Sequence, residues 1–161
     1  MILLPLLIAQ TLIVPISGST NSHATVPGDF SLRLEFGICT TDVIDTFKGE
    51  YVRDLGNGET ISTRVSLSKT QTAKLYDLVN QAGFFDYPLV FRPQGSAGFE
   101  PHDHYRLEVR NGGATHSVSW DEGDSTSSDA QRFRDLLRGV IRVFSEMPAV
   151  RALPHAKVLC L

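Results

Sequence analysis

The hairpin signal at residues 105–120 most constrains this chain. Asn111-Gly112 lies between two runs in which apolar and polar residues alternate. Both central residues of a type I′ turn need positive φ. Asn and Gly tolerate it best, so this pair between alternating runs predicts a tight antiparallel hairpin. With Asn111-Gly112 as the turn, Arg110 pairs with Gly113. Val109 then faces Ala114, Leu107 faces His116, Tyr105 faces Val118 and Asp103 faces Trp120. Every apolar residue falls on one face, as burial of one side of a sheet requires. Glu108 with Thr115, Arg106 with Ser117 and His104 with Ser119 fall on the other.

The same register limits the metal chemistry open to the chain. His116 lies on the apolar face and cannot share an ion with His104; a histidine there reads as a core residue bonded to backbone or to a hydroxyl. His102 and His104 share the outer face, with Asp121 about opposite His102. Two histidines at i and i+2 plus a carboxylate are a possible zinc set. No third histidine is near, and the reading assigns neither metal nor cofactor.

The remaining elements follow from periodicity. Phe30, Leu32, Leu34 and Phe36 alternate with polar residues and predict a half-buried strand ending near Gly37. Residues 43–53 and 60–67 read as two further strands around Gly56-Asn57-Gly58-Glu59. An odd-length loop with a bulge would set Leu55 against Ile61 and Tyr51 against Val65. Ser68 with Gln71 three residues on forms a capping box. Leu75, Leu78, Val79 and Ala82 follow at helical spacing, and Gly83 is the stop. Phe84-Phe85 enters the core. Residues 86–101 carry Pro88, Pro93, Gly95, Gly98 and Pro101 and read as a long irregular loop. Gly95-Ser96-Ala97-Gly98 is not a nucleophile elbow, because Gln94 stands where the first Gly is needed.

Beyond the hairpin, residues 121–129 form an acidic loop that lacks EF-hand spacing. Ser127, Ser128 or Asp129 caps a helix whose apolar face is Phe133, Leu136, Leu137, Val140 and Phe144. Pro148 ends it, and an irregular tail follows. The order β-β-β-α-β-β-α predicts a two-layer α+β domain, with an antiparallel sheet of about five strands and two helices packed on one face. Tyr51 and Tyr105 each precede an Asn-Gly pair by six residues, which shared hairpin chemistry explains without duplication.

Composition bears on address and partners. Residues 1–22 contain no Lys, Arg, Asp or Glu, and residues 2–16 are nearly all apolar. That run is shorter than the about 20 residues a bilayer span needs and is broken by Pro5 and Pro15. Residues 1–24 therefore read as a secretory signal with Ser22-His23-Ala24 at its cleavage point, although no basic residue precedes the apolar run. A single domain over 25–148 and a tail over 149–161 follow, in a secreted or periplasmic protein without a stable membrane span. The two cysteines, Cys39 and Cys160, predict one disulfide tying the tail to the first strand. The net charge of −3 provides no field for nucleic acid. Arg134, Arg138 and Arg142 recur at i+4 and read as a solvated helix face paired with Asp135 and Glu146.

From 67 to 144 the chain resembles the emfourin-like, protealysin-associated inhibitors of thermolysin-type metallopeptidases. The resemblance rests on the helix running into Gly83-Phe84-Phe85 and on Asp103-His104-Tyr105-Arg106-Leu107-Glu108-Val109. Asn111-Gly112, His116-Ser117-Val118-Ser119-Trp120-Asp121 and the last helix complete it. Of the glycine-rich end expected on the first strand, only Gly37 is present. The resemblance implies a non-catalytic module that blocks a peptidase cleft. The loops to do so are 88–101 and 56–59, with Phe91 and Phe99 as anchors beside Arg92, Gln94 and Asn57. No catalytic residue is assigned. The alternatives are an envelope-associated structural domain and a metal-dependent enzyme using the His102, His104 and Asp121 face.

Overall fold

The computed structural model describes residues 25–56, 58–93, 102–123 and 125–157. The predicted signal segment, together with Asn57, Gln94, Phe99 and Cys160, lies outside the described residues. The chain is a mixed α+β domain. In order it forms β1 (Ser31–Gly37), β2 (Asp42–Asp45), β3 (Glu50–Gly56), β4 (Glu59–Arg64) and α1 (Lys69–Ala82). A 3₁₀ turn (Phe84–Asp86) leads to β5 (Val90–Phe91), β6 (His104–Asn111), β7 (Ala114–Asp121), α2 (Ser128–Ser145) and α3 (Pro148–Arg151). The seven strands among the described residues join one sheet in the order β4-β3-β2-β1-β6-β7-β5, antiparallel except for the parallel β5–β7 pair.

Five predicted strands have become seven for two local reasons. Residues 43–53 do not run straight through. The Asp45 carboxylate accepts the Lys48 N–H at 3.1 Å and Gly49 takes φ 67°, so the chain reverses between β2 and β3. An Asp four residues before a Gly is a turn signal, outweighed in the sequence by the apolar residues on either side. The second addition, β5, is two residues long and lies inside the loop predicted to be irregular. The Leu89 carbonyl accepts the Ser119 N–H at 2.8 Å beside it.

The β6–β7 hairpin is present, but its turn is Gly112-Gly113 (φ 58° and 82°) rather than Asn111-Gly112. Asn111 now pairs with Ala114, Leu107 with Val118, Tyr105 with Trp120 and His104 with Asp121. Each partner has moved by two residues, so every side chain keeps its predicted face. The cause is distant in sequence: the Asp29 carboxylate accepts the N–H groups of Gly112 and Gly113 at 3.0 and 2.7 Å. Those two bonds also hold the Asp29 carboxyl below its ordinary range. At the β3–β4 turn the loop is even, with Gly56 opposite Glu59. A bulge at Leu55 sets Arg53 against Ile61 and Tyr51 against Thr63.

One core joins the helices to one sheet face. Leu32, Leu34, Ile44, Tyr51, Leu107, Val109, Val118 and Trp120 are buried from the sheet, Leu75 and Val79 from α1, and Phe133, Leu136, Leu137, Val140 and Phe144 from α2. The predicted capping box is complete: Ser68 Oγ accepts the Gln71 N–H, and the Gln71 side chain accepts the Ser68 N–H. Gly83 closes α1 at φ 64°. Ser127 caps α2 by accepting the Ala130 N–H at 3.2 Å. The outer face is polar, with Arg33 opposite Glu108 and Glu35 opposite Arg106 across β1–β6.

Pro148 does not open an irregular tail. It occupies the first turn of α3, where its missing N–H costs nothing. Val150 and Leu153 are buried, and the Arg53 guanidinium donates to the Leu153 carbonyl at 3.1 Å. Gly37 is the tightest point of the fold. At φ 144° a Cβ would sit 1.9 Å from the Thr40 carbonyl oxygen, so only glycine allows the loop that carries Cys39. No described helix is long and apolar enough to cross a membrane.

Candidate functional site

The ends of β5, β6 and β7 meet at one corner of the sheet and gather most of the polar chemistry singled out in the sequence. Trp120 points into the core from β7; the next residue, Asp121, points out. The Glu122 N–H donates to the Asp103 carbonyl at 2.8 Å and joins the two strand ends. Arg134 reaches this corner from α2. Its Nε donates to Glu122 Oε1 at 2.5 Å, its Nη2 donates to the Gly123 and Ser125 carbonyls, and its guanidinium lies 5.5 Å from the Trp120 ring centre. With the Arg134 and Glu122 side chains only 11% and 19% exposed, this is a partly buried strut. It corrects the reading of Arg134 as part of a solvated stripe. Periodicity along one helix cannot report a partner from another element.

On the outer side, His104 Nδ1 lies 2.5 Å from Asp121 Oδ1, and the His102 and His104 rings are 4.7 Å apart. One ligand atom from each of His102, His104 and Asp121 lies within 4.8 Å of the other two. His116 takes no part. Its Nε2 bonds to the Tyr87 carbonyl at 2.8 Å beside Phe84 and Phe85, the backbone bond expected of it, although the side chain is half-buried at the edge of the core and not within it. A cleft of about 310 Å³ opens beside the cluster, lined by Val90, Phe91, Arg92, His102, Trp120 and Asp121 among others. Trp120 Nε1 is buried there with no hydrogen-bond partner among the described residues. Burial, and then the charges of Asp103 and Glu122, raise the Tyr105 hydroxyl well above its ordinary range.

The residues singled out as a binding loop separate. Phe91 is 8% exposed and packs against Tyr87, Trp120 and Phe133, so it is a core residue and not a protruding anchor. Alternation of one aromatic with prolines cannot tell the two apart. Arg92 is exposed at the cleft. Among the described residues the most exposed large apolar side chains are instead its neighbours Leu89 and Val90, 67% and 55% exposed on the last strand of the sheet and the residue before it, with Ile38 next. A Pro-Leu-Val-Phe run bounded by prolines is the available signal for a short edge strand. Cys39 sits in the loop after β1. No family model matches the chain, and no curated protein matches it.

Proposed function

We propose that this chain is a non-catalytic, exported binding module whose partner is a protein, and that the partner docks on the β5 edge. The observation that carries the reading is the exposure of Leu89 and Val90 side by side at an edge strand, with Arg92 next to them. An edge strand offers unpaired backbone groups, and adjacent exposed aliphatics gain from burial in a complex. The resemblance of 67–144 to emfourin-like inhibitors makes a thermolysin-like metallopeptidase the first partner to test. Inhibition would come from occlusion of its cleft by this edge and the segment after it.

The test is a titration of the full chain, oxidised, against such a peptidase. Stoichiometric loss of activity is expected, and replacing Leu89 and Val90 together by serine should weaken it at least about tenfold, the loss of roughly 1.4 kcal/mol. No inhibition at micromolar concentration overturns the peptidase reading. Full potency in the double variant overturns the docking edge.

The predicted Cys39–Cys160 disulfide belongs to the same proposal. The Lys157 N–H donates to the Leu55 carbonyl at 3.1 Å, and His155 and Ala156 share a surface depression with Gly37, Ile38 and Thr40. This route brings the tail beside the Cys39 loop three residues before Cys160. Intact mass spectrometry should record a gain of two hydrogens on reduction. Alkylation of both thiols without reductant would reject the bond.

A further inference from the structure

The register of the β6–β7 hairpin has a chemical consequence. With Asn111-Gly112 as the turn, Asp121 would face His102. With Gly112-Gly113 as the turn, Asp121 faces His104 directly, and His102 lies on the same outer side just before the strand. The three side chains come together because a glycine pair, held by Asp29, sets the register at the far end of the hairpin.

We propose that His102, His104 and Asp121 form a surface site for one divalent transition-metal ion of the zinc class. Two imidazole nitrogens and one carboxylate oxygen suit Zn²⁺, Ni²⁺ or Cu²⁺, whereas Mg²⁺ and Ca²⁺ require sets of oxygens. A tetrahedral ion with ligands at about 2.0–2.1 Å sets the three donor atoms about 3.3 Å apart, so the 2.5 Å His104–Asp121 contact must open slightly and any longer separation, up to 4.8 Å, must close. Rotation of the exposed His104 and Asp121 side chains is enough, since the strand pairing already fixes their Cα atoms opposite each other. The ion would exchange the present His104–Asp121 contact for two metal bonds. Three protein ligands leave a further position for water or for a donor from a partner. His102 and Asp121 also line the cleft, so the site lies in its wall. The proposal is independent of the docking reading, because Leu89 and Val90 contribute nothing to the ligand set.

The experiment is calorimetric titration of the untagged, chelator-washed full chain with zinc chloride, followed by ¹H–¹⁵N spectra at each addition. One equivalent should bind at micromolar concentration, with shifts concentrated at 102–104 and 119–123. His102→Gln and His104→Gln should each weaken binding at least about tenfold, while His155→Gln leaves it unchanged. Both target side chains lie outside the hydrophobic core, and the spectrum of each variant reports its fold in the same sample. Absence of saturable binding overturns the site. So does unchanged affinity in both His102 and His104 variants, or a set of shifts centred elsewhere. Peptidase titrations are run without added zinc or chelator, on the parent and on the His102→Gln and His104→Gln variants, so failure of one proposal is read apart from failure of the other.

Discussion

Replacing Phe133 by alanine is expected to destabilise the domain by about 3–5 kcal/mol. Phe133 is fully buried on α2 and meets four aromatic rings at once. Its ring centre lies 4.8 Å from Tyr87, 5.4 Å from Trp120, 5.5 Å from Phe91 and 6.3 Å from Phe84. Phe84 belongs to the 3₁₀ turn and Tyr87 is the residue after it, while Phe91 lies on β5 and Trp120 on β7. One side chain thus ties the helical layer to the β5 edge. Truncation removes the apolar surface of the ring and leaves a cavity that four rigid neighbours cannot close by small rotations. Urea unfolding should record a lower midpoint with a nearly unchanged slope. Phe133→Leu should recover most of the loss. A change below about 0.5 kcal/mol, the range of ordinary surface substitutions, would show that this cluster does not hold the layers together.

The sequence is most informative where one signal suffices. The Ser68–Gln71 capping box, the Gly83 stop and the apolar stripe of α2 depend on residues within a few turns of each other, and all three are present in the fold. Alternation alone places His116 on the inner face of the sheet, and alternation is preserved when a hairpin slips by two residues. The register itself is not legible, because the choice between Asn111-Gly112 and Gly112-Gly113 is made by Asp29, distant in sequence. The same limit hides the Arg134–Glu122 strut and the burial of Phe91, both set by neighbours that only the assembled layers bring close.

The corner carrying His102, His104 and Asp121 combines these two kinds of information. Its residue types and outer-face placement come from local alternation. Their convergence comes from the long-range choice of turn. The docking edge shows the opposite balance. Leu89 and Val90 follow a proline in a stretch without periodicity, and only the assembled sheet, with β5 at its edge, leaves both of them exposed. A search for binding residues among large aromatics selects Phe91, which the core has already used, and passes over the smaller aliphatics beside it.

Stability is expected to fall steeply at alkaline pH, and Tyr51 is one of two buried tyrosines that cause it. Its side chain is 4% exposed, and its hydroxyl donates to Asp42 Oδ2 at 2.6 Å. Burial first, and then the Asp42 carboxylate, push the hydroxyl up to about 12, against the opposing pull of Arg53. In the unfolded chain a tyrosine loses its proton near 10. Between about pH 10 and 12 the folded chain therefore holds more protons than the unfolded one, and stability falls as pH rises. This contribution is fully present below pH 10 and is lost through 12, amounting to about 2–3 kcal/mol. Tyr105, also raised, adds a loss of the same sign. Tyr51→Phe should reduce the alkaline slope in urea unfolding without abolishing it. At neutral pH the same variant should lose about 1.5 kcal/mol or more, the value of a hydrogen bond to a charged acceptor. Asp42 would then keep the Asp54 N–H at 3.0 Å and Arg53 at 3.6 Å. An alkaline slope identical in the parent and in Tyr51→Phe would refute the assignment to this hydroxyl.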